Sequence, residues 1–175
     1  MVAVVDHVAL AITITLIFGK GNKDMKIRKA TIQDFDRIME MMIDFANSSP
    51  YAPQNEPEYG DTYVRRLLCS FMQSGCILLA EHDEKTIGML IGQIQPDPWL
   101  PQIKTMKEIA WWVDLDYRGT SAGYKLLLRY IKYGKALQEA NEIQGFTLTN
   151  MEQSPDFDLE KRGWAPMERN YLYQG

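Results

Sequence analysis

The chain has 175 residues, 46% hydrophobic and 24% charged, which is enough for one domain with a real core and short for two. Its net charge of −4 lacks the broad positive field that phosphate-backbone binding uses, so nucleic acid is a poor partner. Two cysteines (Cys69, Cys76) and two histidines (His7, His82) are too few for a disulfide framework, a four-ligand zinc site or a readily assembled Ser-His-Asp triad, which points to metal-free chemistry in a reducing cytoplasm.

Residues 2–18 (VAVVDHVALAITITLIF) are strongly apolar. The charge-free run after His7 falls well short of the ~20 residues a membrane-spanning helix needs, and no basic residue precedes it as in a signal peptide. Ile12, Ile14 and Leu16 alternate with Thr13 and Thr15, so a strand at an edge or in a contact between two copies is the better physical reading. A natural start at Met25 is the other. Residues 1–24 are therefore set apart as an extension, and a domain is expected over 25–175, without a membrane as partner.

Residues 26–30 alternate as a short strand. Thr31 and Asp34 have capping-box spacing, and Phe35, Ile38, Met39, Met42, Phe45 and Ala46 recur at helical intervals. Residues 47–60 carry three prolines and predict a loop of the kind that forms lids. A second helix is expected over 61–73, a buried strand over 76–80, its hairpin partner over 86–95 and a loop over 96–101. A fourth strand follows at 107–114 (KEIAWWVD), the longest helix at 121–140, a strand at 146–149, a short helix after Pro155 and a last strand at 169–173.

The segment richest in chemistry is 108–135. A strand ends at Asp114, the chain turns through Arg118-Gly119-Thr120-Ser121-Ala122-Gly123, and an amphipathic helix begins. Small residues let backbone N–H groups approach an anion, and the helix start adds unpaired donors and its positive dipole end. A pyrophosphate is the natural guest.

This turn resembles the acyl-CoA-binding motif [Q/R]-x-x-G-x-[G/A] of the GNAT superfamily of N-acyltransferases. Arg118 and Gly123 match, and Ser121 stands where glycine is usual. The order of elements from Met25 to Tyr173 is similar throughout, and Lys161-Arg162-Gly163-Trp164 resembles the family's K-x-G-[FW] segment before the last strand. The resemblance implies a single α/β (mixed α+β) domain with a central, mostly antiparallel mixed sheet flanked by helices. It further implies acetyl-CoA as co-substrate, with no metal. Backbone groups of Trp112, Val113 and Asp114 would meet the pantetheine arm, and the amides from Arg118 through Gly119, Thr120, Ser121 and Ala122 to Gly123 the pyrophosphate. Lys125 lies near that site and is a candidate for a 3′-phosphate, with a solvated charge stripe (Lys125, Arg129, Lys132) as the alternative; Asn150 is a candidate for a pantetheine amide, with loop capping as the alternative.

Transfer to an amine needs a base and a donor for the departing thiolate. Glu108, in the setting Glu-Ile-Ala-Trp-Trp, is similar to strand glutamates that serve as base in the family, and its aromatic neighbours would raise its pKa. An ordinary solvent-facing glutamate is the alternative. Where the family places an acidic tyrosine this chain has Leu159, which leaves Tyr171, Tyr173, Tyr124 or water for that role. The expectation is an N-acetyltransferase for a small-molecule or protein amine, entering beneath the 47–60 and 96–101 loops near Tyr51, Tyr59 and Trp99. The alternative is a module of the same fold that binds CoA or mediates assembly without catalysis.

Overall fold

A computed structural model of the chain describes residues 25–48, 60–149 and 157–167. The leader 1–24, most of the expected lid loop with Tyr51 and Tyr59, Asn150, and the segment with Tyr171 and Tyr173 where a last strand is expected lie outside the described residues.

Five strands form one sheet in chain order: β1 (Lys26–Lys29), β2 (Gly75–His82), β3 (Lys85–Pro96), β4 (Lys104–Val113) and β5 (Gly145–Thr147). The first four are antiparallel and β5 runs parallel to β4. The β2–β3 hairpin turns on Asp83 and Glu84, both at positive φ (49° and 63°), the geometry that lets a two-residue turn follow the strand twist.

Helix α1 (Phe35–Ser48) and helix α2 (Asp61–Gln73) cover one face, and helix α3 (Ala122–Glu139) covers the other. Alternation in β2 and β3 sorts side chains between two cores. Ile77, Leu79, Met89 and Ile91 pack with Phe35, Ile38, Met41, Leu68 and Phe71. Leu78, Ala80, Ile87 and Leu90 pack with Ala122, Leu126, Tyr130 and Leu137. Each fully buried Leu or Ile here contributes roughly 1.5–3 kcal/mol of transfer free energy. The α1 entry is stapled by Asp34, which accepts from the Thr31 N–H (2.7 Å) and from two nitrogens of Arg28 (2.8 and 2.7 Å).

Several boundaries differ from the sequence reading: β5, expected over 146–149, is Gly145–Thr147, and three more differences have a physical reason or bear on the site. Helix α1 runs through Asn47 to Ser48. Strand β4 starts at Lys104, because its first rungs pair with the polar end of β3 (Thr105 with Gln95, Lys104 with Pro96) and carry no hydrophobic alternation to reveal them. The helix expected after Pro155 is, among the described residues, one 3₁₀ turn at Glu160–Arg162. Gly163 ends it at φ 85°, a conformation that favours glycine. Trp164 then packs edge-on against Phe146 with ring centroids 5.2 Å apart.

Candidate functional site

Strands β4 and β5 share only three rungs, Thr105–Gly145, Met106–Phe146 and Lys107–Thr147. Beyond them β4 continues for six residues to Val113 while β5 has ended, so the second half of β4 has an edge facing a fork. The Asp114 N–H donates to the Ile87 carbonyl (2.9 Å). That bond fixes the alternation: the Asp114 N–H and the Trp112 peptide groups turn to β3, whereas Val113 turns its N–H and C=O to the fork; the Asp114 C=O accepts the Tyr117 N–H (2.9 Å) in the turn. Of the three strand residues expected to offer backbone groups there, only Val113 is so oriented.

A β-bulge sets what faces the fork. The pairing of β3 with β4 passes from Ile91–Ala110 to Gly92–Glu108, so Ile109 is an extra residue. The insertion flips the side-chain alternation. Glu108 lies on the α3 side with Met106 and across from Gly92, while Ala110 and Trp112 fall on the α1–α2 side. Without the bulge, Glu108 would share a face with Ala110 and Trp112.

Glu108 is half-buried and its carboxylate accepts the Thr149 N–H (3.1 Å). Burial pushes its pKa up to about 7, against the opposing effect of the Thr149 donors. The expectation of a raised pKa is met, with burial in the fork as its cause.

The turn after β4 is a 3₁₀ segment, Leu115–Tyr117, leading into Arg118–Ser121. Gly119 sits at φ 82° with open space where a Cβ would be. Thr120 braces the turn, its hydroxyl donating to the Tyr117 carbonyl (2.7 Å) and accepting from the Ala122 N–H (3.3 Å). The N–H groups of Gly119 and Gly123 have no acceptor among the described residues. They are the open donors that an anion-binding helix start requires. Gly123 faces Trp111 and Val113 at ordinary contact distance.

The side chains of several residues expected at the cofactor, most of them through backbone groups, are engaged within the fold. Ser121 is buried against Met25. The Lys125 ammonium donates to the Met25 carbonyl (3.2 Å) and ties α3 to the start of β1. Arg118 lies back over the Trp112 ring (4.5 Å) and donates to the Val113 carbonyl (3.1 Å). The Asp114 carboxylate is paired with Arg37 of α1.

Phe157 was not singled out by the sequence. It stacks on Trp111 (5.2 Å, 17°) and on Tyr124 (6.2 Å, 22°) at the α3 end of the fork. Arg162 closes the stack, donating to the Phe157 carbonyl (2.8 Å) and to the Tyr124 hydroxyl (3.2 Å). Trp99 is 87% exposed on a turn held by Asp97. Among those residues no cluster of three or more His, Cys, Asp or Glu is placed to hold a metal, and no helix is long and apolar enough to cross a membrane.

Sequence comparison finds a family match: the profile of the acetyltransferase (GNAT) family covers residues 39–157, well over half the chain. The chain belongs to the GNAT acetyltransferase family. Solved structures agree in fold. An acetyltransferase from Trypanosoma brucei is 18% identical, with a TM-score of 0.59 over 86% of this chain and 99% of that one. A ribosomal-protein-alanine N-acetyltransferase from Brucella melitensis is also 18% identical, with a TM-score of 0.59 over 87% and 99%. An aminoglycoside acetyltransferase from a soil metagenome is 11% identical, with a TM-score of 0.62 over 87% and 97%. No curated protein sequence matches the chain. The GNAT fold thus accounts for the single mixed α/β domain.

Proposed function

We propose that this GNAT protein moves an acetyl group from acetyl-CoA to a primary amine by direct attack within the fork. The observation that carries the reading is Glu108, a carboxyl group brought to the fork by the β4 bulge and poised to titrate at about 7. In its ionised form it takes the proton of the incoming ammonium, directly or through a water. The Val113 N–H, turned to the same side of β4, is the donor for oxyanion charge that develops on the thioester carbonyl. Acetyl-CoA supplies an activated acyl carbon: the N–C bond forms, the C–S bond breaks, and the thiolate takes up a proton.

Pyrophosphate binding falls to the Gly119 and Gly123 amides at the α3 start, with Ser121 and Ala122 as small neighbours. Lys125, held by Met25, keeps a positive charge near that end. The proton donor to sulfur is assigned to Tyr171 or Tyr173, and Asn150 to a pantetheine amide. The acceptor is a small-molecule or protein amine, residues 25–175 form the catalytic unit in the cytoplasm, and the 1–24 extension is a surface for pairing two copies.

The test is thiol release from acetyl-CoA across a broad amine panel, with Glu108→Gln alongside. Turnover with at least one amine, falling about 10²–10⁴-fold in the variant while acetyl-CoA still binds, supports the reading. A wild-type chain that binds acetyl-CoA and releases no thiol with any amine overturns it.

A further inference from the structure

Tyr130, on α3, is completely buried and stands directly beneath the point where β4 and β5 part. Its hydroxyl donates to the Thr147 carbonyl (2.9 Å), the last residue of β5, and the Met106 carbonyl of β4 lies 3.5 Å from the same oxygen. One side chain thus touches three elements at the crotch of the fork. The ring has no freedom to leave this place. On one side it fills the space left by Gly92, where a Cβ would stand 2.6 Å from its Cε2. On another, Phe146 of β5 meets it edge-on with centroids 5.9 Å apart.

Two residues beyond Thr147, Thr149 turns its N–H to Glu108. Among the described residues the last rung of the β4–β5 ladder is Lys107–Thr147, so no strand pairing places Thr149. Its position depends on how Thr147 is held. We propose that Tyr130 is a positioning residue for the reaction: its hydroxyl, by holding the Thr147 carbonyl, keeps the Thr149 donors on the Glu108 carboxylate. The inference rests on the reading of Glu108 as the base.

The consequences for Glu108 follow from its surroundings. The titratable groups facing it are Tyr130 from α3 and, behind that ring, Cys76 from β2, both pushed upward by burial and neutral at ordinary pH. β3 presents Gly92 and β5 leads into Thr149, neither of which titrates. The Thr149 donors are the influences that oppose burial at Glu108. Removing them raises the pKa of the carboxyl group.

The experiment uses the full chain with ¹³C-labelled glutamate, Glu108 being assigned by its loss in Glu108→Gln. In Tyr130→Phe, which keeps the ring between Gly92 and Phe146, the Glu108 titration is expected to move up by about one pH unit, and the acid limb of kcat/KM to move with it. Thr149→Pro, which deletes both donors, is expected to give the same shift, and Tyr130→Phe added to it no more. A titration that stays in place or moves down overturns the proposal. So does a Tyr130→Phe chain that no longer folds, since the hydroxyl would then serve stability. If the carboxyl titration shifts while no amine is ever acetylated, the reaction is misread and the positioning stands.

Discussion

Arg37, in the first turns of α1, holds the carboxylate of Asp114 where β4 leaves the sheet. Its Nε also donates to the Thr86 carbonyl on β3 (3.1 Å), and its other terminal nitrogen to Glu40 (2.9 Å). The Arg37 and Asp114 side chains are 29% and 16% exposed, so the pair is shielded more than a surface ion pair. It joins residues 77 positions apart and anchors the β4 exit immediately before the turn.

Arg37→Met is therefore expected to cost about 1–3 kcal/mol in urea unfolding, more than an exposed pair would. Asp114→Asn is expected to cost less, because the amide oxygen still accepts. The double variant should cost less than the sum, and strict additivity would show that the two side chains do not interact.

Gly123 separates the cofactor reading from packing. A Cβ there meets Trp111, Val113 and Phe157 at 3.8–3.9 Å, which is ordinary contact. Gly123→Ala is expected to fold and to bind acetyl-CoA within a few-fold of wild type. Gly123→Glu places a negative charge at the helix start, where an anion is to bind. It should fold with unchanged circular dichroism and lose binding at least about 100-fold by calorimetry, about 2.7 kcal/mol. Undiminished affinity in Gly123→Glu would remove the α3 start from the binding site.

Gly134, on the same helix, gives the opposite expectation. A Cβ there would lie 2.6–2.9 Å from three ring atoms of Phe146, and that ring is wedged between Tyr130 and Trp164. Overpacking of this kind costs about 1–3 kcal/mol. Gly134→Ala is expected to lower the melting midpoint clearly, while Gly134→Ala with Phe146→Leu recovers part of the loss.

Much of this was legible in the sequence because local signals and tertiary packing agreed. Residues 61–73 are the helix the pattern predicts, and the small residues of 118–123 form the open turn expected of them. Glu108 was a candidate because its setting, Glu-Ile-Ala-Trp-Trp, resembles that of strand glutamates in the family. The bulge that aims it was not legible, since Ile109 reads as one more apolar residue in a strand and only its pairing shows it to be extra. For the same reason the sequence could not separate Val113 from Trp112, whose peptide groups turn to β3, or from Asp114, whose N–H turns to β3 and whose C=O is taken by Tyr117. Tyr130, which the structure buries completely, was not singled out by the sequence. Its hydroxyl gains meaning only from two carbonyls on separate strands.

Asp34 should dominate one limb of acid unfolding. Its hydrogen bonds with Arg28 hold its pKa down to about 2, below the ordinary 3.8. A depressed folded pKa means stability that is fully present above pH 3.8 and is lost as pH falls toward 2. Asp34→Asn is expected to destabilise the chain by about 1–2 kcal/mol at pH 7. The gap between variant and wild type should close between pH 4 and pH 2. A gap independent of pH would assign the effect to the shape of the α1 entry.

Glu108 carries the reverse sign, and this sets activity against stability. Its folded pKa, about 7, lies above the ordinary 4.5, so between those values the folded chain holds a proton that the unfolded chain has released. Wild-type stability should therefore fall as pH rises from 4.5 to 7, with the cost complete above 7 and absent below 4.5. Glu108→Gln does not titrate, so its stability relative to wild type is expected to climb through the same window by about 1–3 kcal/mol. The acid limb of kcat/KM should run the other way, rising through about 7 as the carboxylate forms, and should vanish in Glu108→Gln. Denaturation midpoints and initial rates measured across pH 4.5–8 check both halves together. A stability gap that opens while the rate profile keeps its acid limb in the variant would make Glu108 a buried carboxyl group without a catalytic part.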